Sequence, residues 1–325
     1  MSEVSSTPKP VQELVENGDE LPQRYIWRDN GDYGAIDFSV PLATEIPVID
    51  FSLLVSSKSA MDPELLKLRS ALSSWGCFQA VNHGIEISLV DQVRKLSREF
   101  FHLPKGEKQK YARPTDDFEG YGNDTVMFEN QPLDWVDRDM LYDYTAKVRE
   151  IEEQLLKAMA RSLSLPEDSF VIQFGEQPSI SARFNYYPPC ARPDAVVGLK
   201  PHTDGLGITI LLQDEQVEGL QLLKDNQWFR IPIMPHALVV NLGDQLEIMS
   251  NGIFKSPVHR ALTNPTRERN TLAMFCTPDP AQEIGPVEEL INDKRPRAFK
   301  NIKNYAASYF YYYQQGKSPI DAVRV

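Results

Sequence analysis

The sequence predicts a mainly β core flanked by α-helices, organised as one compact unit. Two patterns lead to this fold class. From residue 179 onward, short apolar β-type segments follow one another with only turns between them, as in all-β barrels and double sheets. Before that point, three stretches carry apolar residues at helical spacing. The chain has 325 residues, of which 42% are hydrophobic, so it can bury a large core.

The N-terminal half is predicted to mix helices and strands. Up to about residue 45 the chain is polar and punctuated by Pro and Gly, so we expect an arm or a short helix packed on the body. EIPVIDFSLL and CFQAVNHGI read as strands, and PELLKLRSALSSWG between them has helical spacing. SLVDQVRKLSREFFHLP predicts an amphipathic helix with Ser88 as its N-cap, and AKVREIEEQLLKAMARSLSL predicts another.

The C-terminal half is predicted to be mostly β. Its strand-like segments are ISARFNYY, GITILLQD, LQLLKD, WFRIPI, ALVVNLGD, FKSPVHRAL and NTLAMFC. FKNIKNYAASYFYYYQQGK then predicts a final helix with an aromatic stripe. We therefore divide the chain into an N-terminal arm (1–45), a helical and strand region packed on the core (46–178), the β core (179–280) and a C-terminal helical region (281–325).

Composition limits the partners and the compartment that we expect. The formal net charge of −12 would repel a phosphate backbone, so we expect no binding to nucleic acid. No apolar run approaches the roughly 18 residues of a membrane span, and the N-terminus does not resemble a secretory signal. Cys77, Cys190 and Cys276 are widely spaced, which fits buried or inert thiols in a reducing, cytoplasmic compartment.

The stretch GLKPHTDGLGITILLQDE contains the first candidate metal ligands. His202 and Asp204 stand one residue apart, and in a strand such residues point to the same face. This spacing alone is weak evidence, because with five His and 46 acidic residues about 0.7 such pairs arise by chance. Two His and one carboxylate form the facial triad of non-haem Fe(II) oxygenases, which leaves positions open for a cosubstrate and O₂. A second histidine is therefore needed.

His259 is the best candidate for that second histidine. His83 and His102 lie near element ends in the helical half and are interpreted as structural, and His236 follows a proline at a turn, where a surface or capping role is expected. His259 begins an alternation in SPVHRAL that continues across TNPTRER into NTLAMFC. This pattern predicts a β-hairpin with His259 facing the core.

The second arm of that predicted hairpin carries a candidate anion anchor. Arg269 and Thr271 share a face, and a guanidinium with a neighbouring hydroxyl suits a carboxylate. Arg269 would pair near Ala261 or Thr263, which places it roughly 7 to 13 Å from His259 at about 3.3 Å per residue. A short dicarboxylate could then bind the metal at one end and Arg269 at the other. The alternative is an arginine in a surface salt bridge.

A further pair precedes the Pro-Pro turn in RFNYYPPC. Asn185 and Tyr187 share one face of the predicted strand. An amide and a phenol can position a carboxylate and a metal ligand, although a buried tyrosine with a satisfied hydroxyl is as common.

Taken together, these motifs resemble a known family. In order along the chain they are EIPVIDF, WGCFQAVNHGI, NYYPPC, KPHTDGLGITILLQD, VEGLQLLKDNQWF, ALVVNLGDQLEIMSNG, FKSPVHRAL and RNTLAMFCTP. This set is similar to the plant Fe(II)/2-oxoglutarate-dependent dioxygenases and covers nearly the whole chain. Within the family it most resembles the specialised-metabolism branch that contains the opiate O-demethylases and norcoclaurine-synthase-like proteins.

The resemblance implies a double-stranded β-helix, or jelly roll, and a complete set of roles. Iron would be held by His202, Asp204 and His259. The far carboxylate of 2-oxoglutarate would meet Arg269 and Thr271, with Tyr187 and Asn185 beside it. The implied reaction consumes O₂, releases succinate and CO₂, and hydroxylates the substrate; on a methoxy carbon the net result is O-demethylation. Ascorbate would be supportive.

The sequence departs from this family in two places. Thr271 stands where the family usually has Ser; the hydroxyl is kept, so we expect cosubstrate binding to be kept as well. Between LDWVDR and YTAKVREIEEQ only DMLYD remains of a segment that is usually longer and lines the substrate pocket. The segment is either a shortened lid or a break in the chain between Arg138 and Asp143, which a Cα–Cα spacing well beyond about 3.8 Å would reveal.

The substrate side is the least determined by the sequence. Arg183 and Phe275 match positions that face the pocket in relatives, and Tyr121, Met127 and Phe128 are further candidates. An aromatic pocket would suit a planar alkaloid or a phenolic, but core packing explains such residues equally well. Two alternatives stay open: an iron oxidase of the same fold that uses no 2-oxoglutarate, and a non-catalytic small-molecule binding protein.

Overall fold

The computed structural model describes residues 11–16, 18, 20–28, 33–57, 59, 61–111, 121, 143–315 and 317–325. The helices are α1 (Val11–Glu16), α2 (Phe51–Ser56), α3 (Pro63–Ser74), α4 (Ile87–Phe101), α5 (Lys105–Lys108), α6 (Asp143–Ser162), α7 (Ser169–Phe174), α8 (Asp244–Met249) and α9 (Tyr305–Gln314). The strands are β1 (Val48–Asp50), β2 (Cys77–Val81), β3 (Ser179–Tyr187), β4 (Val197–His202), β5 (Ile208–Leu212), β6 (Leu220–Lys224), β7 (Gln227–Arg230), β8 (Leu238–Leu242), β9 (His259–Leu262), β10 (Arg269–Thr277), β11 (Glu283–Ile284) and β12 (Ile302–Lys303).

Two facing sheets form the core. The larger has six strands in the order β1-β2-β8-β5-β10-β3, and the smaller has four in the order β4-β9-β6-β7. All neighbours pair antiparallel except β1 and β2, which pair in parallel. A separate two-stranded sheet joins β11 to β12. The predicted double sheet with flanking helices is confirmed.

The six-stranded sheet is buried on both faces, and its residues alternate between two environments. On β10, Leu272, Met274 and Cys276 join a large apolar cluster with the buried faces of α3, α4 and α6. Their neighbours Arg269 and Thr271 point to the other face, which lines a cavity between the sheets. Period-two alternation therefore separates an apolar layer against helices from a functional layer inside the sandwich.

Several sequence expectations need correction at element boundaries. In EIPVIDFSLL the strand ends at Asp50, whose carboxylate accepts hydrogen bonds from the amides of Ser52 and Leu53 and so starts α2. Ser88 is not an N-cap, because α4 already begins at Ile87. Strand β4 and helices α7 and α8 were not predicted. Both helices have six residues, which is too short for a clear helical period.

The predicted hairpin between β9 and β10 is wrong. Strand β9 pairs with β4 and β6, whereas β10 pairs with β3 and β5. The connecting turn passes from one sheet to the other, and the side-chain oxygen of Asn264 accepts hydrogen bonds there from the amides of Thr266 and Arg267. His259 and Arg269 thus lie on opposite sheets that face each other across the cavity.

The N-terminal arm packs on the outer face of the smaller sheet, as expected. Backbone carbonyls of Tyr33, Ala35 and Asp37 accept hydrogen bonds from side chains of that face, at 2.8, 3.2 and 3.0 Å. The donors are Trp228, Arg260 and Gln221. The division of the chain at residues 45, 178 and 280 stays a prediction.

Two further expectations were tested against the described residues. All three cysteines are buried with free thiols, as predicted. Within the described ranges, no helix combines the length and the apolar character that a membrane crossing requires.

Candidate metal centre and anion anchor

Two imidazoles and one carboxylate meet between the sheets. The Nε2 atom of His202 lies 3.5 Å from Oδ1 of Asp204, and the Nε2 atom of His259 lies 3.7 Å from the same oxygen. The two histidines are cross-strand partners on β4 and β9, with ring centroids 4.3 Å apart. One ligand atom from each residue falls within 4.8 Å of the others, so the group could hold a single metal ion.

Backbone carbonyls orient both rings. His202 Nδ1 lies 2.7 Å from the carbonyl oxygen of Lys200, and His259 Nδ1 lies 3.1 Å from that of Pro257. A carbonyl can only accept, so each Nδ1 carries the proton and each Nε2 keeps its lone pair. The lone pairs converge on Asp204, which is the arrangement that a metal-ligating histidine needs.

Asp204 is oriented from the larger sheet. Its Oδ2 accepts hydrogen bonds from the Thr209 hydroxyl on β5 and, at 2.8 Å, from Asn241 Nδ2 on β8. Oδ1 is left facing the two imidazoles. Asp204 lies in the loop after β4 rather than in a strand, so strand alternation is not what aligns it with His202.

The electrostatics of the site favour the metal-binding protonation states. Burial lowers the pKa of His259 to about 4, so its imidazole is neutral at physiological pH. Burial works against the charged form of Asp204, but the neighbouring His259 and His202 and the Thr209 hydroxyl outweigh it and hold its pKa below the usual value. The neutral imidazole of His259 beside an ionised Asp204 suits a divalent transition metal such as Fe(II).

The anion anchor is built on one pair of adjacent strands. In the register of β3 and β10, Arg269 is opposite Tyr187 and Thr271 is opposite Asn185. Asn185 Nδ2 donates to Thr271 Oγ1 at 3.2 Å, and the Arg269 guanidinium lies 5.1 Å from the centre of the Tyr187 ring. Arg269 is 2% exposed. A buried guanidinium beside a hydroxyl is a strong site for a carboxylate.

Glycines keep space around this anchor. A Cβ at Gly219 would lie 2.9 Å from Cδ of Arg269, and one at Gly198 would lie 2.7 Å from Cδ1 of Tyr187. Oδ1 of Asn185 is buried and has no hydrogen-bond partner among the described residues. The cradle around Arg269 and the orphaned amide oxygen both fit a polar ligand at this position.

A cavity of about 510 Å³, counting its open mouth, connects the two sites. The sequence-predicted residues that line it are Arg183, Asn185, Tyr187, His202, Asp204, His259, Arg269, Thr271 and Phe275. One cavity therefore brings together the candidate metal triad, the candidate carboxylate anchor and two residues from the expected substrate side.

The chain is similar to known proteins. Residues 179–278 fit the model of the 2OG-Fe(II) oxygenase superfamily, and residues 46–159 fit that of the non-haem dioxygenase in morphine synthesis N-terminal domain. Codeine O-demethylase of Papaver somniferum is 38% identical, over 89% of this chain and 88% of the relative. The chain belongs to the 2OG-Fe(II) oxygenase superfamily.

Two more similarities support the family and the fold. Oxoglutarate-dependent flavonoid 7-O-demethylase 1 of Ocimum basilicum is 36% identical, with 97% of this chain and 90% of the relative aligned. The crystal structure of JOX2 in complex with 2OG, Fe and JA superposes with a TM-score of 0.85, at 33% identity and 98% coverage of both chains. The protein is thus a 2-oxoglutarate-dependent dioxygenase with the jelly-roll core, and its cofactors are Fe(II) and 2-oxoglutarate.

Not all substrate-side candidates of this oxygenase reach the cavity. Tyr121 packs against Phe100 and Phe101 in the helical layer, with ring centroids 5.8 and 6.5 Å away, and Lys108 lies 5.5 Å from its ring centre. The expectation that Tyr121 approaches the pocket is therefore not met. Met127 and Phe128 lie outside the described residues, as does the short segment between Arg138 and Asp143 up to residue 142.

Sequence reasoning missed the two residues that orient the iron-ligand carboxylate. Thr209 and Asn241 are polar residues inside the buried strands β5 and β8. A polar side chain in an otherwise apolar, fully buried strand must find a partner, and this is the signal that could have identified them. Their shared partner in the oxygenase is Asp204.

Proposed function

We propose that this oxygenase hydroxylates or O-demethylates a small aromatic molecule, an alkaloid or a phenolic, while 2-oxoglutarate is converted to succinate and CO₂. One observation carries the proposal: the metal triad, Arg269 and Phe275 all line one cavity. Two relatives are named O-demethylases, one of codeine and one of flavonoids, which supports an aromatic substrate.

His202, Asp204 and His259 would hold Fe(II). The iron supplies the centre at which O₂ is reduced and 2-oxoglutarate is oxidatively decarboxylated. The protein contributes fixed ligand orientations, since carbonyls hold both imidazoles and two hydrogen bonds hold the carboxylate. Three protein ligands leave the remaining positions to the cosubstrate and O₂.

Arg269 and Thr271 would bind the far carboxylate of 2-oxoglutarate. The guanidinium is buried, so its hydrogen bonds to a carboxylate are screened little by water. Asn185 and Tyr187 stand directly opposite these residues and would limit how the dicarboxylate can lie. The keto-acid end then points toward the triad, because the anchor and the triad face each other across the cavity.

The substrate would enter beside the triad, between Arg183 and Phe275. Phe275 is the cross-strand partner of Thr209, whose hydroxyl donates to Asp204, so the phenyl ring borders the metal end of the cavity. Arg183 lies on the neighbouring strand, opposite Ala273. A planar ring stacked on Phe275 would place its substituents next to the iron ligands.

The proposed reaction balances. One oxygen atom of O₂ enters succinate and the other enters the product, while the C–C bond next to the keto group of 2-oxoglutarate breaks to release CO₂. On a methoxy group, hydroxylation of the carbon gives a hemiacetal, which loses formaldehyde and leaves a phenol or alcohol.

The test is succinate release by the full chain with Fe(II), 2-oxoglutarate and a panel of aromatic alkaloids and methoxylated phenolics, with ascorbate to keep the iron reduced. We expect one substrate class to stimulate succinate formation, with a product that gains one oxygen or loses one methylene. Oxidation without any need for 2-oxoglutarate would establish the oxidase alternative instead. Stimulation only by non-aromatic acids would overturn the substrate class.

The cytoplasmic location of the protein stays a separate prediction.

A further inference from the structure

The backbone carbonyl oxygens of the loop 203–207, which carries Asp204, accept hydrogen bonds from residues that follow later in the chain. Strands hold other atoms of this loop: the Asp204 carboxylate accepts from Thr209 and Asn241, and Gly207 N donates to the Cys276 carbonyl of β10 at 3.1 Å. The carbonyl oxygens must find donors elsewhere. Residues 243–245, at the start of α8, supply four of them. These hydrogen bonds are Asp244 N to Asp204 O at 2.7 Å, Gly243 N to Gly207 O at 2.8 Å, Gln245 N to Leu206 O at 3.2 Å and Gln245 Nε2 to Gly205 O at 3.0 Å.

The fifth carbonyl, that of Thr203, accepts its hydrogen bond from the C-terminal helix. Tyr309 Oη donates to it at 2.5 Å. Thr203 stands between the two ligands His202 and Asp204, so this bond fixes the peptide that sets their relative positions. The backbone on both sides of Asp204 is thereby held from outside the loop.

Other tyrosines of the aromatic stripe on α9 also contact the metal end of the cavity and α8. Tyr305, Tyr309 and Tyr313 recur every four residues and so share a helix face. The Tyr313 ring meets the His202 ring edge-on, with centroids 5.6 Å apart. Tyr305 Oη donates to Asp244 Oδ2 at 2.7 Å, which links α9 to α8. Both helices that hold the loop are therefore joined to each other.

Gly205 lets the helix approach this closely. A Cβ at this position would lie 2.2 Å from Cγ of Tyr309, well inside van der Waals contact. The ring thus packs directly on the loop backbone. Any side chain at residue 205 would displace either α9 or the loop.

We propose that α9 is a positioning element of the iron site, with Tyr309 as the positioning residue and Gly205 as its contact on the loop. This inference rests on the proposed iron ligands. Tyr309 would act through the Thr203 carbonyl and the loop backbone. Its loss should therefore weaken metal binding more than it weakens the fold.

The first test is Tyr309→Phe in the full chain, with anaerobic Fe(II) or Co(II) titration of the metal-free protein. Removal of one hydrogen bond should weaken metal binding about 2- to 10-fold. Tyr311→Phe is the matched control, since Tyr311 is 60% exposed on the same helix and outside the stripe. It should bind like the wild type. Equal metal affinity of both variants and the wild type would overturn the proposal.

The second test uses Gly205→Ala with and without Tyr309→Ala. The added methyl should weaken metal binding about 10-fold or more when Tyr309 is present. In the Tyr309→Ala background, Gly205→Ala should weaken metal binding by less than about 3-fold, because the ring that the added methyl would contact is absent. Equal costs in both backgrounds would show that Gly205 and Tyr309 are not coupled, which also overturns the proposal.

These outcomes separate the inference from the proposed function. If the wild type binds no metal, or if Asp204→Ala leaves its binding unchanged, the proposed ligand set fails. If wild-type binding depends on Asp204 and is insensitive to Tyr309 and Gly205, only the role of α9 fails. The melting temperature of each metal-free variant shows whether a loss of affinity reflects unfolding.

Discussion

The metal end and the anchor end of the cavity are built in different ways. The anchor takes its four side chains from two adjacent strands, β3 and β10, so one pairing register positions them all. The metal end takes one ligand from a strand end, one from a loop and one from another strand, and it needs β5, β8, α8 and α9 to support the loop. The anchor therefore depends on one strand pairing, whereas the metal centre depends on many elements.

This contrast predicts that the two ends fail separately, and the largest effect belongs to the metal end. Asp204→Ala removes the charged ligand and should reduce coupled turnover by more than about 100-fold, with loss of Fe(II) binding. Fe(II) titration and succinate release measure the two effects. Asp293→Ala, an exposed loop carboxylate, is the control. Retention of turnover by Asp204→Ala would show that the ligand set is wrong.

The next largest effect is expected at the anchor. Arg269→Ala should raise the KM for 2-oxoglutarate about 30-fold or more, because truncation of one partner of a buried charge pair costs about 2 to 5 kcal/mol. The affinity for Fe(II) should stay within about 2-fold of the wild-type value, since Arg269 is not one of the proposed iron ligands. Arg269→Lys keeps the charge without the planar fork, so its KM for 2-oxoglutarate should lie between those of the wild type and Arg269→Ala. An unchanged 2-oxoglutarate requirement would remove Arg269 from the anchor.

Acidification should reveal the buried histidine of the metal end in the metal-free protein. The pKa of His259 falls from an ordinary 6.5 to about 4 on folding. The unfolded chain therefore binds more protons at this residue between these values, and the contribution of His259 to the free energy of unfolding should fall by about 3 kcal/mol as the pH drops through that window.

Urea unfolding of wild type and His259→Gln at several pH values isolates this contribution. The buried acids Glu152 and Asp244, whose pKa values burial raises to about 7, act in the opposite direction in both proteins. Thr271→Val, an anchor variant, should keep the wild-type pH slope. Identical slopes for wild type and His259→Gln would contradict the prediction.

The smallest effect is expected for the anchor hydroxyl. Thr271→Val should raise the KM for 2-oxoglutarate about 3- to 10-fold, since it removes one hydrogen bond to the carboxylate and the acceptor for Asn185. Thr271→Ser keeps the hydroxyl and should stay within about 2-fold. If the two variants behave alike in steady-state kinetics, the hydroxyl has no role in cosubstrate binding.

The histidines show how far sequence reasoning reached. His83 is buried with its ring 2.9 Å from the His236 carbonyl, and His236 lies in an exposed turn with a φ of 57°. His102 ends α4 and pairs with Glu268 at 3.0 Å. These three are structural or exposed, as predicted, and the remaining two meet at the metal centre. Flanking turns and strand patterns are local signals, and they were enough to separate the two candidate metal ligands from the other three histidines.

Strand pairing was not predictable in the same way. The alternation on β9 and β10 correctly indicated inward-facing residues, but period two is identical whether two consecutive strands form a hairpin or lie in different sheets. The turn at Asn264 decides between them, and its effect depends on the partners β4 and β3, which are distant in sequence. Arg269 lines the same cavity as the triad, but a hairpin is not the reason, because the two strands lie in different sheets.

The sequence by itself identified the candidate groups of this protein: two histidines and a carboxylate that would hold iron, and an arginine and a hydroxyl that would bind a carboxylate. Only the tertiary structure decided how they meet. Thr209 and Asn241 orient Asp204, the sheets face each other across the cavity, and α9 closes on the loop through Tyr309. Local patterns fix which way a side chain points within its own element, whereas the contacts between elements depend on packing across the whole core.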